Sequence, residues 1–424
     1  MNEDFLYYIW QYKLFSTTNL QTINHQNIAV LKTGNHNKNE GPDFLNAQLK
    51  IDNQLWAGNV EMHVKSSDWY LHKHEEDTNY DAVILHVVWG HDVDVFMKNN
   101  QALPTLELQN FVDKNLLDNY KKLLHNKQNW IPCQYQIRAV DNFLIDNWLE
   151  RLYFERLEQK AKVIDQLLQK SNNDFEAVLF QLLAKNFGLK INGEAFLKFA
   201  TSIDFSVVRK VSHNKHQLSA LLFGLSGFLE DEIEEVYHQQ LKKEYQYLQH
   251  KYNLTPLSKN YFQFFRMRPH NFPTIRIAQL SALLNNHQNL FSKLIKVKDL
   301  NEVYDLFTIE VSEFWKTHFT FENTSKQSSK KLTKSFIDLL VINTIIPLKF
   351  VFLKNRGEAF EDDILYLIHQ LKPEKNSIIS KFSDANVIAK NAMESQALLE
   401  LKNNYCTKKR CLHCAIGNSL LRSK

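Results

Sequence analysis

The sequence predicts an α+β protein, with a small mixed-sheet unit over residues 1–110 followed by a large, mainly α-helical region. Three observations predict it. Alternation of apolar and polar residues with period two, the mark of strands with unlike faces, is concentrated in the first 110 residues. Four of the ten glycines lie in the first 90 residues, where tight turns between strands need them. From Asp141 the apolar period lengthens, with Ile145, Trp148, Leu149, Leu152, Leu157, Ala161, Ile164 and Leu168 recurring at helical steps.

In chain order, Asp4–Leu14 forms a short aromatic helix. Strands follow at Asn27–Thr33, Phe44–Ile51 and Leu55–Lys65. Ser67 or Asp68 caps a helical segment running to about Asn79. Two further strands are expected at Ala82–Trp89 and Leu103–Leu108, the last at a sheet edge because Pro104 cannot donate to a ladder. The order is therefore helix, three strands, helix, strand. A helical domain is expected over 111–322, a flexible, basic connector over 323–334, and a helical C-terminal part with a cysteine cluster over 335–424.

A hydrophobic content of 44% with 12% aromatics excludes global disorder. Lys and Arg number 51 against 47 Asp and Glu, so nucleic-acid binding would need a local basic patch rather than overall charge. The acidic start, Met-Asn-Glu-Asp-Phe, lacks the basic and apolar regions of a signal peptide, and no export is expected. The most apolar run, Phe336–Leu353, contains Asp338, Asn343, Pro347 and Lys349, which points to a buried helix and not a membrane span. Three of only four cysteines fall near the C-terminus, unlike a secreted disulfide scaffold, so a reducing cytoplasmic setting is expected.

The chemistry is expected on the strand Leu55–Lys65. Val60, Met62 and Val64 share one face, and Asn59, Glu61, His63 and Lys65 share the other. A half-exposed strand with a solvated outer face would show the same alternation. The preceding strand, however, begins directly after Gly41-Pro42-Asp43. If the two pair as a hairpin through Asp52–Gln54, Asp43 falls opposite Glu61. Converging carboxylates repel unless a cation separates them, and Mg²⁺ or Mn²⁺ would do so. His63 could then orient or deprotonate an attacking water, and Lys65 could contact a phosphate.

Pro42-Asp43, a following strand and Glu61-Met62-His63, set in this order of elements, resemble the PD-(D/E)XK nuclease superfamily over about the first 90 residues. The resemblance implies Asp43 and Glu61 as metal ligands and a nuclease or phosphodiesterase acting on nucleic acid. The superfamily's lysine two residues after the glutamate is replaced here by His63, with Lys65 one alternation further on. Its upstream helix carboxylate would correspond to Glu3 or Asp4. Over its full length the chain also resembles an uncharacterised family of bacterial proteins. Two alternatives stand beside this reading. One is a non-catalytic nucleic-acid or protein-binding scaffold with a structural metal. The other is a His-ligated Zn²⁺ or Fe²⁺ hydrolase using His63, His72 and His74, although on a helix His72 and His74, two apart, would diverge. His86, in the apolar strand, reads as a core histidine.

Cys406-x₄-Cys411-x₂-Cys414 can meet a single metal centre, with Cys133 as the natural fourth ligand, closing a loop of about 270 residues, and His413 as another candidate for Zn²⁺, although adjacent residues seldom ligate together. Either Zn²⁺ or [4Fe–4S] suits four thiolates, and reduced cysteines without metal are the alternative. The layout resembles the iron–sulfur staple of some PD-(D/E)XK helicase–nucleases, in which the distant cysteine precedes the nuclease core, whereas Cys133 follows it. Finally, the stretch from Tyr261 to Arg276 interleaves aromatics with Arg266, Arg268 and Arg276, a pattern that suits single-stranded nucleic acid and equally suits a helix end packed in a core.

Overall fold

The computed structural model describes residues 1–125 and 128–423 and confirms an α+β architecture. The chain forms two compact units, Met1–Trp148 with Leu401–Lys424, and Leu149–Glu400. In the first unit, helix α1 (Glu3–Gln11) is opened by Asn2, whose side chain accepts from the Phe5 N–H, and carries Glu3 and Asp4 in its first turn. One face buries Phe5, Leu6, Ile9 and Trp10.

The sheet consists of β1 (Ile28–Lys32), β2 (Asn35–His36), β3 (Phe44–Ile51), β4 (Gln54–Lys65), β5 (Val83–Gly90) and β6 (Thr105–Glu107). Its order is β1-β3-β4-β5-β6, with β2 on the outer end of β3. β1, β2 and β4 run antiparallel to β3, whereas β5 is parallel to β4 and β6 to β5. All five expected strands form, and the strand after Pro104 lies at the edge. The β3–β4 turn uses Asp52 at φ 51°, a left-handed conformation Asp tolerates, and the Asp52 carboxylate accepts from the Asn27 N–H at 2.9 Å.

β4 and β5 approach closely at Gly58. A Cβ there would come within 2.5 Å of Ile84 Cγ2 and 2.7 Å of the Ala82 carbonyl oxygen. Because the second contact is backbone, a Gly58→Ala chain is expected to lose about 1–2 kcal/mol of stability through overpacking, measurable as a lower midpoint in urea unfolding.

The second unit is helical, from Phe175–Phe187 and Leu189–Thr201 through Lys215–Leu225, Val236–Tyr252 and Pro273–Asn286 to Ala392–Glu400. The chain divides differently from the sequence expectation. Residues 323–334, expected as a connector between domains, lie inside the second unit, where Lys330 is 3% exposed and its carbonyl accepts from Gln279 Nε2 at 2.8 Å. The reason is packing: the Lys330 alkyl chain brings its ammonium over the Phe319 ring, 3.6 Å from the centroid. Residues 401–424 group with the N-terminal unit, where Asn119 Nδ2 donates to the carbonyls of Leu421 and Ser423.

Lys334–Asn355 is long and apolar enough to cross a membrane by length and composition, but 72% of its most apolar stretch is buried inside the protein. Its polar groups have protein partners. Asp338 accepts from the Tyr304 hydroxyl at 2.6 Å, Asn343 Oδ1 from Lys160 Nζ at 3.0 Å, and Lys349 Nζ donates to the Val297 carbonyl at 2.8 Å.

Candidate metal centre in the mixed sheet

The hairpin register decides which side chains meet. From Ile51↔Gln54 to Ala47↔Gly58 the pairing is regular, and its continuation would set Asp43 against Met62. The register shifts before Phe44↔Val60, beside Asn46 at φ 58°, and so sets Asp43 against Glu61. The two residues bond reciprocally. The Asp43 N–H donates to Glu61 Oε2 at 3.1 Å, and the Met62 N–H donates to Asp43 Oδ2 at 3.0 Å. From α1, the Tyr7 hydroxyl hydrogen-bonds the Asp43 carboxylate, and the negative charge of Glu3 is felt by both acids.

The polar face of β4 is covered instead of solvated, with Glu61 4% and His63 2% exposed. Helix α1 covers it through Tyr7 and Glu3, and the short helix α2 (Asp68–Leu71) with the turn after it brings His72 and His74 against it. The helical segment expected to reach Asn79 stops at Leu71. The Lys73 N–H bonds the Tyr70 carbonyl and the His74 N–H bonds the Trp69 carbonyl, with Lys73 at φ 60°. This is a Schellman stop with a lysine in the left-handed position that glycine usually fills. The reversal at Lys73 is why His72 and His74, which would diverge on a continuous helix, reach the same place.

Three imidazoles thereby converge. One ring nitrogen from each of His63, His72 and His74 lies within 4.8 Å of the others, the one such trio of His, Cys, Asp and Glu among the described residues. His63 Nε2 is 3.1 Å from His72 Nδ1, and Glu61 Oε1 lies 3.5 Å from His63 Nε2 and 3.3 Å from His74 Nε2. Behind them His63 Nδ1 is 2.9 Å from His86 Nε2. A His63 Nδ1–H donating to His86 would leave the lone pair on Nε2, facing the cluster. Tyr80 stacks on His74 at 3.8 Å, fixing its ring.

Electrostatics reinforce the grouping. Burial, and then the charge of Glu61, pushes the Asp43 carboxyl up to about 7, against the hydrogen bonds from Tyr7 and Met62. Burial likewise pushes Glu61 up to about 8, opposed by the Asp43 N–H and aided by Glu3. Burial together with the neighbouring imidazoles pushes His63 down to about 2 and His86 to about 3, and burial also lowers His74. With His63 neutral, its contact with Glu61 is not an ion pair, whatever its length. Neutral imidazoles beside acids that resist ionisation are the donor set a divalent cation would turn to advantage.

The other expected residues are placed as follows. Lys65 is exposed at the end of β4; its N–H donates to Asp68 Oδ2 and its charge acts on Asp92, so it is not brought to the cluster. Arg276 is 7% exposed, donates to Gln279 Oε1 and Asn271 Oδ1, and stacks 3.7 Å over Phe336. It is a core residue and cannot meet nucleic acid, because burying its guanidinium against a ring fills space in the helical unit. Arg266 and Arg268 are exposed, with Phe265 76% exposed between them and Phe264. Cys133, Cys406, Cys411 and Cys414 line one cavity. Tyr7 and Tyr80 were not singled out by the sequence, where nothing in their local pattern marks them; their roles come from long-range packing.

A family model described as "Protein of unknown function (DUF2851)" matches residues 3–377. No curated protein matches, and no solved structure matches.

Proposed function

The chain belongs to the DUF2851 family of proteins of unknown function, so its activity has to be read from the site itself, and we propose that it is a metal-dependent nuclease or phosphodiesterase. The observation that carries this is the convergence of His63, His72 and His74 within 4.8 Å, with Glu61 Oε1 against two of them. In this reading the three imidazoles and Glu61 hold a divalent ion, and Asp43 adds the second negative charge. Nitrogen-rich donors favour Mn²⁺, Fe²⁺ or Zn²⁺ over Mg²⁺, which prefers oxygen. Such an ion, when bound, activates water and stabilises charge on a phosphodiester.

The chain's own groups take roles that follow from their contacts. Both nitrogens of His63 are engaged, so it serves as a ligand and not as the water-activating base that the strand pattern suggested. His86 positions His63 from behind. Tyr7 and the Met62 N–H hold the Asp43 carboxylate beside Glu61. What supports a nucleic-acid substrate is the sheet, three antiparallel strands followed by a crossover to a parallel one, together with exposed Arg266, Phe265 and Arg268 as a surface for phosphates and bases. The test is cleavage of single- and double-stranded DNA and RNA by the purified chain with Mn²⁺ or Zn²⁺. Cutting abolished by a chelator is the expected result. Tight, metal-independent binding without cutting would overturn the enzyme in favour of a scaffold.

A further inference from the structure

We infer that Cys133, Cys406, Cys411 and Cys414 hold a [4Fe–4S] cluster that staples the returning C-terminal segment to the first unit. This stands apart from the histidine site. Cys133 lies in the loop before helix Asn142–Lys170, Cys406 ends the π-turn Leu401–Cys406, Cys411 opens a 3₁₀ turn, and Cys414 caps the C-terminal helix Ala415–Arg422. All four line one cavity with apolar neighbours including Leu123, Ile131, Ile137 and Ile416. None is in a disulfide, and Cys133, Cys411 and Cys414 are 7–8% exposed.

Spacing separates the two metals that four thiolates suit. A tetrahedral zinc with Zn–S bonds of about 2.3 Å draws its sulfurs to within about 3.8 Å of one another. No three of these sulfurs lie within 4.8 Å, the spacing that among the described residues the histidine trio meets. A cube of iron and sulfide keeps its four thiolates farther apart than a single ion does, and so suits sulfurs that surround a cavity instead of touching.

The surroundings favour a bound anionic cluster. Cys414 stands at the N-cap of the last helix, where the aligned peptide dipoles place partial positive charge. Gly417 is required for this fit, since a Cβ there would come 2.2 Å from the Cys411 carbonyl oxygen. Arg410 lines the same cavity. Position in the chain supplies the purpose. The first unit is interrupted after Trp148 and resumes at Leu401, and the ligands stand on both sides of that interruption. A cluster there would close a very long loop and hold the unit together where its chain is discontinuous.

The test is iron and acid-labile sulfide in the full chain purified and reconstituted without oxygen, alongside Cys133→Ser and Cys411→Ser. The expected result is about four irons and four sulfides per chain with broad violet-blue absorption, lost in both variants. Stoichiometric zinc, iron without sulfide, or no metal after reconstitution would each overturn the cluster. Because the content of the unaltered chain decides, a variant that fails to fold does not protect the inference.

Discussion

A His63→Ala chain is expected to lose its divalent metal and with it metal-dependent cutting, both by more than about 100-fold, the upper end of what losing even an outer partner of a metal ligand costs. His63 sits at the centre of the cluster, with His72, Glu61 and His86 all against its ring. His72→Ala and His74→Ala should follow it. Asp43→Ala is the informative contrast. Asp43 meets Glu61 through backbone N–H groups and Tyr7, and none of the three imidazoles is among its hydrogen-bond partners, so its loss should weaken metal binding by about 10–100-fold without abolishing it. Metal content after gel filtration, with cutting rates on the same samples, checks both. If metal survives in His63→Ala and disappears in Asp43→Ala, the ion belongs to the carboxylates and the histidines are core packing.

The metal-free chain is expected to lose stability as pH rises from about 6.5 to 8. The sign follows from which state binds more protons. Asp43 and Glu61, at about 7 and about 8 when folded, keep protons that the unfolded chain has already released, so folding is progressively penalised through this window. His63 and His86 act oppositely, being neutral when folded, but their contribution is lost only as pH falls below about 6.5, where the unfolded histidines charge. Above that pH the carboxylates act without opposition, and the fall should be on the order of 2 kcal/mol. A divalent ion removes the penalty by holding both acids ionised. Urea midpoints at pH 6.5 and 8, with and without Zn²⁺ or Mn²⁺, check this. A midpoint that does not fall without metal would contradict the buried, mutually repelling pair.

Much of the first unit was legible in the sequence because its information is local. The sequence marked five of the six strands, missing only the two-residue β2, and Gly41-Pro42-Asp43 marked where β3 starts. Asp43 was expected opposite Glu61 across the hairpin, but the regular register would set it against Met62, and the structure brings the two together only through the shift at Asn46, which no residue count contains. Only the expected divergence of His72 and His74 failed: residues two apart diverge on a helix, but Lys73 ends that helix in a conformation lysine seldom adopts, whereas His86 is the core histidine that its apolar strand suggested. The arginine pattern at 266, 268 and 276 looked uniform, yet only burial distinguishes Arg276 in the core from the exposed pair.

The sequence by itself therefore determined the α+β class, five of the six strands, the polar face of Leu55–Lys65 and the four cysteines as a group, since each rests on periodicity, turn chemistry or residue type. Only the tertiary structure decided that Glu61 and His63 are buried, that His72 and His74 turn towards them, that 323–334 is packed, and that the last 24 residues return to the first unit. Those outcomes depend on contacts between residues far apart in the chain, whose burial and register no local pattern encodes.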